Sequence, residues 1–345
     1  MTVGRPGDAR PATIYDVAKH AQVSHETVSR VLRGDPGVKE KNRERVSAAL
    51  EALSYRPNVT AKALATRRSR RLGAMVYDLI EAGPSQFVEG ATEAAREAGY
   101  LLDIVSVRSV ANGDVATAIS LLNQPDLAGI IAFTPTDATR DAVAATTFRI
   151  PVFQETEGED ADDPREQSLN AVGVGLMVDH LVELGHARIL HIAGPRDWVS
   201  ARNRAHAYER AMRRHDLPVL PIIEGASWSA ASGYEATHRI PHDTRPTALL
   251  VANDQMALGA LLALNERGIA VPQDMSVVGF DDIPEAPFVI PPLTTVRVDF
   301  AQAGHRAVRD LVAQIEGIAP ADVAGEGDVS VGLVVRSSSG RAAEQ

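Results

Sequence analysis

From Leu72 onward the chain alternates between short apolar runs and amphipathic stretches, and this alternation restricts the possible folds more than any other feature. The runs LGAMVYDLI, LLDIV, LAGIIAF, IPVFQ, ARILHIAG, TALLVAND and MSVVGFD are largely apolar from residue to residue, as strands covered on both faces must be. Between them, SQFVEGATEAAREAG, GVGLMVDHLVELG, RNRAHAYERAMRRH and QMALGALLALNERG read as amphipathic helices. Such alternation predicts βα repeats and parallel sheets, and the number of units suits two sheets rather than one. Ligands of open α/β sheets bind beyond the carboxyl ends of the strands. The candidate site residues are therefore the polar ones just after each apolar run.

The first 71 residues have a different texture. They hold 15 Lys and Arg against 7 Asp and Glu, whereas the rest of the 345-residue chain holds 20 against 38. Every lysine lies before residue 63. A basic head on an acidic body predicts that the head meets a polyanion. Cysteine is absent, which excludes disulfides, Cys-based zinc sites and thiol catalysis and is compatible with a reducing cytoplasm. Residues 1–12, MTVGRPGDARPA, lack the apolar core of an export signal and read as a disordered tail. No run of eighteen apolar residues occurs, so no membrane span is expected.

The head reads as three short helices. Thr13 caps the first, about Ile14 to Ala21, with Asp16 as its capping-box partner. A tight turn at Gln22-Val23 follows, and Ser24 caps the second helix, SHETVSRVL. Val28, Val31 and Leu32 form one apolar stripe there, and His25, Glu26, Thr27, Ser29 and Arg30 equip the other faces for hydrogen bonding. A third helix, from about Lys39 to Leu53, carries Val46, Ala49, Leu50 and Leu53 as its buried stripe. Ala18, Gln22 and Val28 have the spacing of a helix-turn-helix, although a left-handed turn at Gln22 costs about 1 kcal/mol more than at glycine and the same pattern also fits an ordinary helical hairpin. Pro57 then breaks the chain before a short segment, Val59 to Ala65, that Asn58 can cap.

The stretch TIYDVAKHAQVSHETVSRVL, followed by YRPNVTAKALA and RRLG, resembles the LacI/GalR family of bacterial transcriptional repressors. The resemblance resumes in EGASWSAASGY, PTALLVANDQMALGALLAL, VPQDMSVVGFDDIP and IPPLTTVRVDF, and is weakest from about 103 to 170. It implies a helix-turn-helix DNA-binding head at 13–57, a hinge helix and linker at 58–71, and an effector-binding and dimerisation domain at 72–340. That domain is expected to be periplasmic-binding-protein-like, with two doubly wound parallel-sheet lobes. One lobe spans about 72–168 plus 298–327, the other about 169–297 plus 328–340.

The resemblance also implies roles for individual residues. His25, Glu26 and Arg30 match positions that read bases in the major groove. Thr13, Tyr15, Ser24, Thr27 and Ser29 match phosphate contacts, with capping as the purely local role of Thr13 and Ser24. Asn58, Ala61 and Leu64 match the hinge in the minor groove, Leu64 as the wedge that kinks the duplex. In the body, Arg202, Trp228, Asn253 and Asp281 match sugar-binding positions and Phe300 an aromatic at the cleft. Singly, Asn253 and Asp254 also fit a helix cap, and Asp281-Asp282 a turn. Pro84 and Ser85 match a loop beside the ligand. Trp198 stands where a close family member carries a small serine, which offers a second stacking wall. Ala132, Phe133, Gln154 and Glu155 lie at other contact positions and match poorly.

The expected function is a sequence-specific regulator, a repressor of carbohydrate-utilisation genes, released from pseudo-palindromic double-stranded operator DNA by a sugar or glycoside. The alternative within the family is corepression by the ligand. The chain carries no leucine-heptad tail after Arg341, so a homodimer is expected. No cofactor or metal is expected, and His180, His186 and His191 lack metal-ligand spacing. A sugar-processing enzyme using Asp254, Asp281 and Asp282 is the rival class, without a nucleophile–base motif to support it. A solute-binding protein for transport would need an export signal, and none is read in the sequence. Gly173-Val174-Gly175 does not complete a nucleotide-binding glycine motif.

Overall fold

The computed structural model describes residues 12–32, 35–53, 55, 69–107, 113–124, 126–155, 168–318 and 329–343. They belong to two compact units, one ending at Ser69 and one beginning at Arg70. The expected hinge residues Asn58, Ala61 and Leu64, and the tail up to residue 11, lie outside the described residues.

The first unit contains α1 (Ile14–Ala21), α2 (His25–Leu32) and α3 (Glu40–Ala52). The Thr13 hydroxyl accepts from the Asp16 amide at 3.4 Å, and the Asp16 carboxylate accepts from the Thr13 amide at 2.8 Å, closing the capping box. Gln22 ends α1 in the left-handed region, at φ 51°. Arg45 of α3 steadies it by donating to the Gln22 side-chain oxygen at 3.0 Å. Ser24 accepts from the Thr27 amide at 3.1 Å and so caps α2. Val17, Ala18, Ala21, Val28, Val46 and Ala49 form the core, with Leu50 and Leu53 packed against it. Residues 0–7% exposed at these six positions make a complete, if small, apolar centre.

The second unit contains two sheets. Strands β1 (Arg71–Tyr77), β2 (Leu101–Val107), β3 (Gly129–Phe133) and β4 (Val152–Glu155) form a parallel sheet in the order β2-β1-β3-β4. The larger sheet has the order β10-β9-β8-β7-β5-β6, from β5 (Ile189–Ala193), β6 (Ile223–Glu224), β7 (Ala248–Val251), β8 (Ser276–Asp281), β9 (Thr294–Val298) and β10 (Val331–Val334). Its edge strand β10 runs antiparallel to β9, a departure from the all-parallel expectation. An antiparallel edge on a parallel sheet is a common arrangement.

Helices cover both sheets. The first lobe carries α4 (Ala82–Glu97), which reaches the site, α5 (Asp114–Leu122) and α6 (Asp137–Ala144). The second lobe carries α7 (Leu169–Glu183), α8 (Val199–Arg214), α9 (Ala230–His238) and α10 (Asp254–Glu266). The chain leaves the larger sheet after β9, forms α11 (Phe300–Glu316) against α4, and returns as β10. The α4–α11 contact is backbone to backbone. A Cβ on Gly90 would lie 2.0 Å from the Ala301 carbonyl oxygen, and one on Gly304 would lie 2.0 Å from that of Phe87. Glycine is required at that crossing, which fixes where Phe87 and Phe300 stand. Gly173 lies inside α7, where a Cβ would meet the Phe280 ring at 2.6 Å. Gly173 of the Gly-Val-Gly triplet is thus a helix-packing residue, whereas a Cβ on Gly175 would meet open space.

Candidate ligand cavity and nucleic-acid interface

On the head, α2 turns Val28 inward and leaves His25 and Glu26 exposed at its first turn. Tyr15, 66% exposed, sets its ring 5.3 Å from that of His25. The hydroxyls of Ser24 and Thr27 are 2.9 Å apart beside the same helix start. A helix N-terminus flanked by hydroxyls favours an anion. Arg30 donates from Nε to Asp35 at 2.8 Å, and this bond and charge raise its pKa further. Asp35 also accepts from the Gly37 amide at 2.8 Å, so the loop after α2 orients the guanidinium. Ser29, one residue earlier, is half-buried. Thr13 is engaged as the α1 cap.

The second unit holds a cavity of about 350 Å³ between its lobes. The first lobe contributes Glu81, Pro84 and Phe87 after β1, Phe133 and Thr134 after β3, and Glu155 at the end of β4. The second contributes Asn170, Trp198, Arg204, Trp228, Asn253 and Asp281. Phe300 and Arg306 of α11 complete the wall. The site thus lies beyond the carboxyl ends of several strands, as parallel topology favours.

Aromatic groups set its shape. Tyr77, Trp198 and Trp228 meet edge to face, with successive centroids 5.0 and 5.5 Å apart. Trp228 lies close against Gly194, where a Cβ would come within 2.4 Å of the indole. Its buried Nε1 has no hydrogen-bond partner among the described residues. An indole N–H left so is a donor available to a ligand.

Of the two neighbouring arginines on α8, Arg204 and not Arg202 lines this cavity. Arg204 is 5% exposed and sits on the buried stripe of α8 with Ala201, Tyr208 and Ala211. It donates to Asn170 Oδ1 at 2.6 Å and to the Ala252 carbonyl, and its Nη2 is 3.7 Å from Asp281 Oδ1. Its guanidinium lies 3.8 Å from the centre of the Phe280 ring and 5.3 Å from that of Trp228. Arg202 projects from another side of α8. It donates to Asp137 Oδ1 and to the Arg196 carbonyl, each at 3.1 Å, and does not line the cavity. Two residues on a helix differ in direction by about 200°, and helical periodicity was the signal that separates these arginines.

The other expected residues fall into place differently. Trp198, Trp228, Asn253, Asp281 and Phe300 are brought together around the cavity. Asn253 is also the cap of α10, accepting from the Met256 amide at 2.9 Å and donating to the Trp228 carbonyl at 3.2 Å. Phe133, Glu155 and Pro84 reach the cavity, whereas Ala132, Gln154 and Ser85 do not line it. Glu81, Phe87, Asn170 and Arg306 line it without having been singled out in the sequence.

The three aspartates considered for catalysis have separate partners. Asp254 is buried at the start of α10, accepting from Thr295 at 2.6 Å and the Ile283 amide at 2.9 Å. Burial, then repulsion from Asp281, pushes it up to about 8, against the two hydrogen bonds. Asp282 binds Arg297 at 2.7 Å and Arg336 at 2.6 Å. Asp281, at φ 110°, is pushed up to about 6 by burial although Arg204 favours its charged form. His186 spans Thr247 and Ser276 at 2.9 and 3.0 Å, a packing role. Among the described residues no group of three or more His, Asp or Glu side chains is arranged to hold a metal, and no helix is long and apolar enough to cross a membrane.

Comparison with known proteins assigns both units. Residues 13–58 match bacterial regulatory proteins of the lacI family, and residues 178–339 match a periplasmic binding protein-like domain. The lactose operon repressor of Escherichia coli strain K12 is 37% identical over 337 residues, 95% of this chain and 91% of that protein. The structure of the lac repressor dimer bound to operator and the anti-inducer ONPF superimposes with a TM-score of 0.80 at 35% identity, covering 96% of this chain and all of that one. A transcriptional regulator CelR–cellobiose complex gives a TM-score of 0.66 at 28% identity over 95% of this chain and 99% of that one.

Proposed function

The chain belongs to the LacI family of DNA-binding transcription regulators and is not an enzyme; from that premise we propose that it is a repressor whose release from DNA is controlled by a sugar or glycoside in the interlobe cavity. The observation that carries this reading is the cavity wall. Two tryptophans and four phenylalanines surround buried groups from both lobes, Arg204, Asn253 and Asp281 among them. Apolar ring faces suit the C–H surface of a sugar, and fixed donors and acceptors suit its hydroxyls. A structural relative, the transcriptional regulator CelR, forms a complex with the sugar cellobiose.

His25, Glu26 and Arg30 are assigned to base edges, and Tyr15, Ser24, Thr27 and Ser29 to phosphates. Thr13 combines its cap with a phosphate contact. Two copies of the chain, related by a two-fold axis, match a pseudo-palindromic operator. Asn58, Ala61 and Leu64 are assigned to the hinge in the minor groove. A ligand that binds the DNA-free state better shifts the population off the operator, and one that binds the DNA-bound state better acts as a corepressor.

The test is selection of bound duplexes from a randomised pool, followed by fluorescence anisotropy of the selected duplex against a panel of sugars. A palindrome released by one carbohydrate supports the proposal. Release by no carbohydrate removes the effector class, and tighter DNA binding with ligand replaces induction by corepression.

A further inference from the structure

Among the described residues, five ionisable side chains line the cavity: Glu81, Glu155, Asp281, Arg204 and Arg306. Both cations are engaged. Arg204 binds Asn170 and the Ala252 carbonyl and faces Asp281, and Arg306 Nη2 is 3.4 Å from Glu155. Glu81 is the acid left over. Its Oε2 is buried and has no hydrogen-bond partner among the described residues. The residue occupies the cap position before α4, yet its side chain makes no capping bond. Neither helix capping nor an ion pair therefore accounts for this carboxyl.

Its surroundings make an unpaired anion costly. Burial, then repulsion from Asp78 and from Asp281, pushes Glu81 up to about 7. Asp78 lies in the loop before α4, and Asp281 ends β8 on the other lobe. Carboxyls thus face the cavity from both lobes, with aromatic rings around them. A cation is the ligand group that answers this arrangement, because it pairs with Glu81, relieves its repulsion by Asp281 and finds favourable ring faces. Trp228 Nε1 offers the same ligand a donor for a ring or hydroxyl oxygen.

We propose that the effector is an amino sugar whose protonated nitrogen pairs with Glu81 between the two lobes. This rests on the reading of the cavity as a carbohydrate site and specifies the class of carbohydrate. Glu81 becomes the residue that selects a basic sugar over a neutral one.

Calorimetry on the full-length protein tests this with a panel of hexoses and disaccharides. Each is supplied as the neutral sugar, the amino-deoxy sugar with nitrogen at carbon 2 or 6, and its N-acetyl form. On at least one scaffold the amine is expected to bind about tenfold tighter than the neutral sugar, as pairing a buried charge implies. N-acetylation should abolish that gain. In Glu81→Gln the ratio of amine to neutral affinity should fall to about threefold or less. The N-acetyl comparison needs no variant, so misfolding of Glu81→Gln does not decide the matter. Neutral sugars that bind while no amine gains affinity overturn this inference and leave the sugar reading standing, as does an amine preference that survives Glu81→Gln. Failure of every member to bind removes both.

Discussion

The guanidinium of Arg204 lies 3.8 Å from the centre of the Phe280 ring, closed in between the cavity and the larger sheet. Asn170, the Ala252 carbonyl and Asp281 engage its edges. Loss of this arginine leaves buried acceptors without a donor, which is the expensive way to break such a cluster.

Arg204→Met is therefore expected to destabilise the protein by roughly 3–5 kcal/mol in denaturant unfolding and to lose effector binding. Arg202→Ala breaks a pair with Asp137, which is half exposed, and should cost less than about 1 kcal/mol. Equal losses from the two variants would contradict the distinction drawn between these arginines.

Stability should fall as pH rises through the range set by Asp254. Its folded value is about 8 against an ordinary 3.8, so between those limits the native state holds a proton that the unfolded state releases. Extra protons on the native state make unfolding free energy decrease with pH, and the contribution present below about pH 4 is lost by about pH 8. Asp254→Asn removes this dependence. The difference in unfolding free energy between variant and wild type, followed from pH 5 to 9, should move steadily in favour of the variant. A flat difference would show that Asp254 is charged at neutral pH.

Gln22 adopts a left-handed conformation that glycine reaches without strain. Gln22→Gly should stabilise the head by about 1 kcal/mol or less, because it also gives up the side-chain bond from Arg45. Thermal unfolding of the head signal in the full-length protein reads this directly.

Leu64→Ala should leave the fold intact and lose most operator affinity, measured by anisotropy on the selected duplex. Unchanged affinity would remove the minor-groove wedge from the account. Arg30→Ala should instead relax discrimination at one base pair of each half-site by about tenfold or more, since a bidentate arginine–guanine pair carries sequence information. Its effect on scrambled DNA should be much smaller.

The elements of this protein were legible because their signals are local. The capping box of Thr13 and Asp16 spans three residues, and the stripe Val46, Ala49, Leu50 and Leu53 repeats within one helix. The apolar runs bounded strands whose burial does not depend on which neighbour covers them. Trp198, Trp228 and Asp281 were singled out by the family resemblance, each following or opening a strand-end loop, and the structure sets all three around the cavity. The cavity was legible only in outline. Arg202 was assigned where Arg204 belongs, and Glu81 drew no attention in a stretch that reads as a strand running into a helix.

By itself, then, the sequence determined three short head helices, the two-sheet α/β body and the separation of a basic head from an acidic body. These follow from periodicity, capping and composition, which act over a few residues, whereas the helix-turn-helix reading of the head rested on the family resemblance. Tertiary structure alone decided that Glu81 faces Asp281's lobe without a cation and that Arg204 is enclosed by Asn170, Trp228 and Phe280. Desolvation and charge coupling depend on what encloses a group in space, and these partners come from segments far apart along the chain.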